Sequence, residues 1–165
     1  MGFGLMFMRV SDPEVVDADR VGLAEFLAEE GLSSSEESGE LVRISDGEAL
    51  TFDGEWTDLR LDPLTQAEPV SGGIDHATLT EQEVTFIFGL CAAGKMMIIN
   101  PQGEPMYIVP AGTHDRGDLP DPDATVWVHT PEELAHALGS SFGDFASFRD
   151  RALGLSDSGA ADGLA

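Results

Sequence analysis

Four histidines, one cysteine and an aspartate-rich loop are the residues of this 165-residue chain whose types could do chemistry. His76, His114, His129 and His136 form no close metal-ligand spacing. His129 closes a predicted strand and His136 lies on the helix that follows, so the two could approach. No carboxylate signature accompanies them, and no metal is expected. Asp115, Asp118, Asp121 and Asp123 crowd one stretch. Their oxygens suit calcium or magnesium, but the spacing is not that of a helix-loop-helix calcium site. A solvated loop is the simpler expectation. Cys91 falls on the apolar stripe of a predicted helix, with only Lys95 basic nearby. A nucleophilic cysteine needs partial exposure and positive surroundings, so Cys91 is expected to be core packing.

Neither Gly2-x-Gly4 nor Gly72-Gly73 is followed by a Lys-Ser/Thr pair, and no serine sits in a nucleophile elbow. No cofactor and no catalytic set are therefore expected. Trp56 and Trp127 both fall in predicted strands. Trp127 reads as sheet packing. Trp56 stands among Asp53, Glu55 and Asp58. An outward tryptophan ringed by acids would anchor a basic partner.

The composition sharpens that contrast. Thirty-one acids face 8 Lys+Arg, a formal charge of −23. Phosphate contacts need clustered Lys and Arg, so a nucleic-acid partner is not expected, nor is docking on an anionic membrane. Hydrophobic residues make up 42%, enough for a packed core. One cysteine allows no internal disulfide. The apolar start, MGFGLMFMRV, has no basic leader and no small-residue cleavage site, and Val84 to Ile99 is broken by Gly89, Gly94 and Lys95. A cytoplasmic location is the resulting expectation. Residues 1–75 hold 18 acids and 4 bases, and the acids are densest from Glu25 to Asp62.

The length suits one domain over 1–154, with a small polar tail at 155–165. Gly2 to Val10 is apolar on both faces and predicts a central strand. Asp17 is a candidate N-cap for a helix over 18–30, stopped by Gly31. A polar loop spans 32–39. Short strands over 41–45, 49–52 and 56–61 are punctuated by Asp46-Gly47 and Asp53-Gly54, which predicts an antiparallel meander. A loop covers 63–73. Thr80-Glu-Gln-Glu83 is a capping box opening a helix to about Ala93, apolar on nearly every side and stopped by Gly94. Strands follow over 95–100, 105–109 and 125–129. Thr130-Pro-Glu-Glu133 opens another helix, and a last one is predicted over 141–153. The expected fold class is α+β: a largely antiparallel sheet with helices packed on one face.

The stretch from Ile87 to Leu153 has a further character. A helix ends in Leu90-Cys-Ala-Ala-Gly94, a strand Met97-Ile-Ile-Asn-Pro101 follows, and a second strand ends near Pro110. Asp118-Leu-Pro120, Val126-Trp-Val128 and Thr130-Pro-Glu-Glu-Leu134 complete the order. This succession resembles the small immunity proteins that accompany bacterial polymorphic and contact-dependent toxins. The resemblance implies a role, binding one cognate toxin and blocking it, and carries over no catalytic residue. Many such toxins are basic nucleases, and an acidic surface would steer one in. The residues expected to bind it are Glu25, Glu29, Glu55, Trp56 and Asp58. Two alternatives from other classes are a small enzyme using the aspartate loop or His129, and an acidic nucleic-acid mimic or scaffold.

Overall fold

The computed structural model describes residues 2–139, 142 and 143. The helix predicted over 141–153, the domain limit at 154 and the tail lie outside that range or almost wholly so.

Strand β1 (Leu5–Ser11) organises the sheet. Phe3, Leu5 and Phe7 are at most 2% exposed on one face, while Met6, Met8 and Val10 line the other. A strand apolar on both sides must be paired on both edges, and it is. β8 (Ser71–Ile74) runs antiparallel along one edge and β9 (Met97–Ile99) along the other. The sheet widens to β7 (Leu59–Leu61) beyond β8, and to β10 (Tyr107–Pro110) and β11 (Thr125–Val128) beyond β9. β2 (Glu14–Val16) folds back on the end of β1. All these pairs are antiparallel except β10 with β11, which is parallel.

Helices α1 (Arg20–Glu30), α2 (Glu81–Gly94) and a third over 131–139 share one core with the sheet. Leu23, Leu27, Ile87, Leu90, Leu134 and Leu138 meet Phe7, Ile98, Ile108 and Val128 there. The opposite face is partly closed by the loop before β11: Leu119 packs on Met97 and Val109, with Trp127 and Tyr107 beside them. The fold is α+β with a mostly antiparallel sheet. Trp127 packs against the sheet as expected.

Some predicted elements shift, and each has a local cause. Asp19 caps α1, its carboxylate accepting the Gly22 N–H at 3.0 Å. Asp17 instead holds the Arg20 guanidinium and the Val70 N–H. Helix α2 includes Gly94, and Lys95 takes the left-handed cap position at φ 56°. The loop expected over 32–39 begins with strand β3 (Leu32–Ser34), which pairs with β4 (Leu41–Arg43). The loop expected over 63–73 ends inside β8. Its glycines are there because the neighbours come close: a Cβ on Gly72 would sit 2.6 Å from the Arg60 carbonyl oxygen, and one on Gly73 2.9 Å from that of Leu5. The meander is broken up. β5 (Thr51–Phe52) and β6 (Glu55–Trp56) form an isolated hairpin, with Asp53 at φ 52° and Gly54 at φ 81° in its turn.

Helix α2 buries more of its length than α1, and Cys91 is fully buried on it. Burial pushes the thiol far above its ordinary value, since no positive group compensates the thiolate. Thr80 caps the helix by accepting the Glu83 N–H at 3.3 Å. Glu83 reaches back further than a simple capping box requires. Its Oε1 accepts the Leu79 N–H at 2.7 Å and the Thr78 N–H at 2.9 Å, in a fully buried setting. Leu79 adopts φ 54° at this turn. Burial raises the Glu83 carboxyl above its ordinary value, and the two backbone donors only partly offset this.

Two outcomes follow from α2. In the folded protein Cys91 should resist thiol reagents until unfolding, and Cys91→Ala should cost about 1–3 kcal/mol in denaturant titration. Rapid native-state labelling would contradict the burial. For Glu83, the folded carboxyl binds its proton more tightly than the unfolded one. Its contribution is therefore greatest at low pH and falls as pH rises through the raised value. Glu83→Gln should keep both acceptor bonds and flatten that slope. Glu83→Ala should lose about 1–3 kcal/mol by stranding two buried N–H groups.

Candidate functional site

The hairpin β5–β6 lifts Trp56 off the sheet. Phe52, on its first strand, is 2% exposed and anchors the hairpin in the core. The turn is tied down by the Asp53 N–H donating to Gln82 at 3.2 Å. With the base fixed, Trp56 on the return strand stays 51% exposed.

That tryptophan is held, not loose. Its indole N–H donates to the Glu40 carboxylate at 2.7 Å. Its ring lies 5.6 Å from the His76 imidazole at a 39° tilt. Glu40 is brought in by a backbone bridge to Arg60 on β7, and His76 by its own N–H donating to the Thr57 carbonyl at 3.1 Å. Two contacts from two different segments fix one large side chain in a chosen orientation.

Below the tryptophan lies a charged knot. Arg60 Nη2 donates to Asp58 at 3.0 Å and to Asp75 at 2.5 Å. Asp58 is half-buried, and its carboxyl is raised above its ordinary value. Burial is the chief cause, followed by the hydrogen bond with Asp75; the Arg60 charge pulls the other way. The backbone is special here too. Asp58 sits at φ 57°, a region that Asp and Asn tolerate better than most residues. The neighbouring Thr57 is fully buried, and its hydroxyl has no hydrogen-bond partner among the described residues.

Of the five residues expected to bind a partner, the structure brings three together. Trp56 and Glu55 face solvent on the hairpin, and Asp58 follows directly but is engaged with Arg60. Glu25 and Glu29 stand exposed on α1, and no hydrogen bond or ion pair of the Trp56 cluster reaches them. Glu40, Asp75 and His76 join the cluster without a sequence signal. They arrive through sheet pairing between distant segments.

The other chemical candidates occupy local structure. His129 is exposed, and its backbone N–H is capped by Glu133 at 2.7 Å. Asp118 accepts the Asp115 N–H at 3.0 Å, and Asp123 pairs with Arg116 at 2.7 Å. His114 is buried, with Nε2 accepting the Val10 N–H at 3.1 Å and burial pushing its pKa down. Among the described residues no three His, Cys, Asp or Glu side chains are placed to hold a metal ion. No helix among them is long and apolar enough to cross a membrane.

The Asp58 carboxyl gives a signed outcome. Its folded pKa is raised, so the charged form opposes folding once pH rises above it. Asp58→Asn keeps an acceptor for Arg60, tolerates the left-handed backbone and carries no charge. It should raise the thermal midpoint at neutral pH, with the gain shrinking as pH falls through the raised value and the wild-type carboxyl takes up its proton. A loss at neutral pH that disappears once the wild-type carboxyl is protonated would show that the charge supports the fold.

No family model, curated protein or solved structure matches this chain. Its functional reading rests on the physical character of the face around Trp56.

Proposed function

We propose that this protein binds and neutralises a basic protein partner through the face around Trp56, in the manner of the toxin immunity proteins its element order resembles. The observation that carries the reading is the exposed indole fixed by Glu40 and His76 amid Asp53, Glu55 and Asp75. A large exposed side chain with its orientation set in advance loses little freedom on binding. Tryptophan is also the residue type most enriched among binding hot spots. The carboxylates around it select a partner rich in Lys and Arg, and the net −23 steers that partner in. The same charge disfavours nucleic acid and anionic membrane as ligands. A cytoplasmic site of action accords with blocking a toxin inside the cell that makes it.

The test is binding kinetics against a basic toxin domain, taken from a neighbouring gene where one encodes it, at about 0.1 M and about 1 M salt. Association should slow several-fold at high salt and on charge reversal at Asp53 and Glu55. Reversal at Glu25 and Glu29 should slow it less, because those acids lie outside the cluster. Trp56→Ala should speed dissociation by about tenfold or more. Tight binding indifferent to salt and to Trp56→Ala would place the interface elsewhere. Absence of binding, with a small-molecule turnover lost on His129→Ala, would replace this reading with an enzyme.

A further inference from the structure

A second feature of the surface lies beside the hairpin. Helices α1 and α2 run antiparallel: Asp19 at the start of α1 donates its N–H to the Gly94 carbonyl at the end of α2. Where α1 ends and α2 begins, the two helices and β5 leave a groove of about 670 Å³. Its floor is aromatic. Phe26 lies 5.3 Å from Phe86, and Phe86 lies 5.4 Å from Phe52. Gly89 makes the depth possible, because a Cβ there would come 2.8 Å from the Phe26 ring. Gln82, Thr85, Phe86 and Gly89 fall on one face of α2, so the groove follows that helix for about two turns, roughly 11 Å.

The rim is unlike the floor. Glu30 ends α1 and Glu81 begins α2, and the antiparallel packing sets both at one end of the groove, exposed. The opposite wall carries one cation, Arg43, whose guanidinium is already engaged by Asp46 at 3.2 and 3.3 Å. Glu30 and Glu81 have no cation within ion-pairing distance among the described residues. An apolar trough with two unneutralised carboxylates at one end is complementary to an apolar side chain flanked by a cation.

We infer that this groove is a docking site for a segment of a protein partner in which a phenylalanine or leucine is flanked by arginine or lysine. The apolar side chain fills the trough over Phe26 and Phe86, and the cation meets Glu30 and Glu81. The inference rests on the reading of a basic partner and names a second point of contact, one turn of hairpin away from Trp56. Thr51 and Phe52 line the groove, and their hairpin partners are Trp56 and Glu55, so a single partner surface can span both.

The probe is a short capped peptide with a phenylalanine stripe flanked by arginines, titrated into the full ¹⁵N-labelled chain. Amide shifts should concentrate at Phe26, Glu30, Thr51, Glu81, Thr85 and Gly89. Thr85→Arg, which puts bulk and charge on the exposed wall, should weaken binding by about tenfold. The double variant Glu30→Lys/Glu81→Lys should do the same. Glu14→Lys/Glu132→Lys, with the same change in net charge away from the groove, should stay within about twofold, which separates local contact from steering. Circular dichroism and thermal midpoint establish that each variant is folded. Trp56→Ala should leave peptide binding intact. Shifts confined to the surroundings of Trp56 would overturn the groove and leave the first reading standing. No binding, equal binding of a peptide with glutamates in place of the arginines, or equal loss in both double variants would also overturn it.

Discussion

One strand that must be hidden on both faces and paired on both edges governs this structure. β1 places Phe3, Leu5 and Phe7 against the helices and Met6, Met8 and Val10 on the far side. Burying one such large side chain stabilises by about 1.5–3 kcal/mol, so leaving either face open would be costly. The demand on the edges recruits β8 from one direction and β9 from the other. The demand on the first face recruits α1, α2 and the helix over 131–139. The second face is covered only in part, by the loop that carries Leu119, and Met6 stays 42% exposed. That loop is long because β10 and β11 are parallel, and a parallel pair needs a crossover that a tight turn cannot supply.

The second organising fact is how the few cations are placed. Arg20 pairs with Asp17 and donates to the carbonyls of Leu64, Gln66 and Glu68, which ties the loop before β8 to the start of α1. Arg43, Arg60 and Arg116 each pair with aspartates on neighbouring turns. Exposed pairs of this kind contribute about 0–1 kcal/mol, so their value is positional. The consequence is electrostatic. Cations used to fasten loops do not neutralise the acids of α1, of the β5–β6 hairpin or of the α2 N-terminus.

The elements legible in the sequence were those with a local cause. α2 carries a capping box and an apolar stripe; β1 carries apolar residues at both parities; the Asp53-Gly54 turn dictates its hairpin. β3 and β8 were not legible. Leu-Ser-Ser and Ser-Gly-Gly-Ile carry little strand propensity, and both are strands only because a partner lies alongside. Trp56 among acids could be read from spacing. Glu40, Asp75 and His76 could not, because strand pairing brings them from 16 to 20 residues away. Glu25 and Glu29 shared a linear density of charge with Trp56, and density along a chain says nothing about which side of a fold it reaches.

Lys95 is the only lysine in the chain. It is exposed at the left-handed cap of α2, where the helix dipole favours a cation. The helix is 14 residues long, so about 20 Å of rigid rod separates this amine from Glu81 and the groove. Apart from the N-terminal amine, amine-reactive chemistry therefore has one side chain to find, at the far end of α2 from the groove and the hairpin. A fluorophore or a sensor surface attached there would leave both the groove and the tryptophan open to solvent. The fold thus carries its own oriented handle.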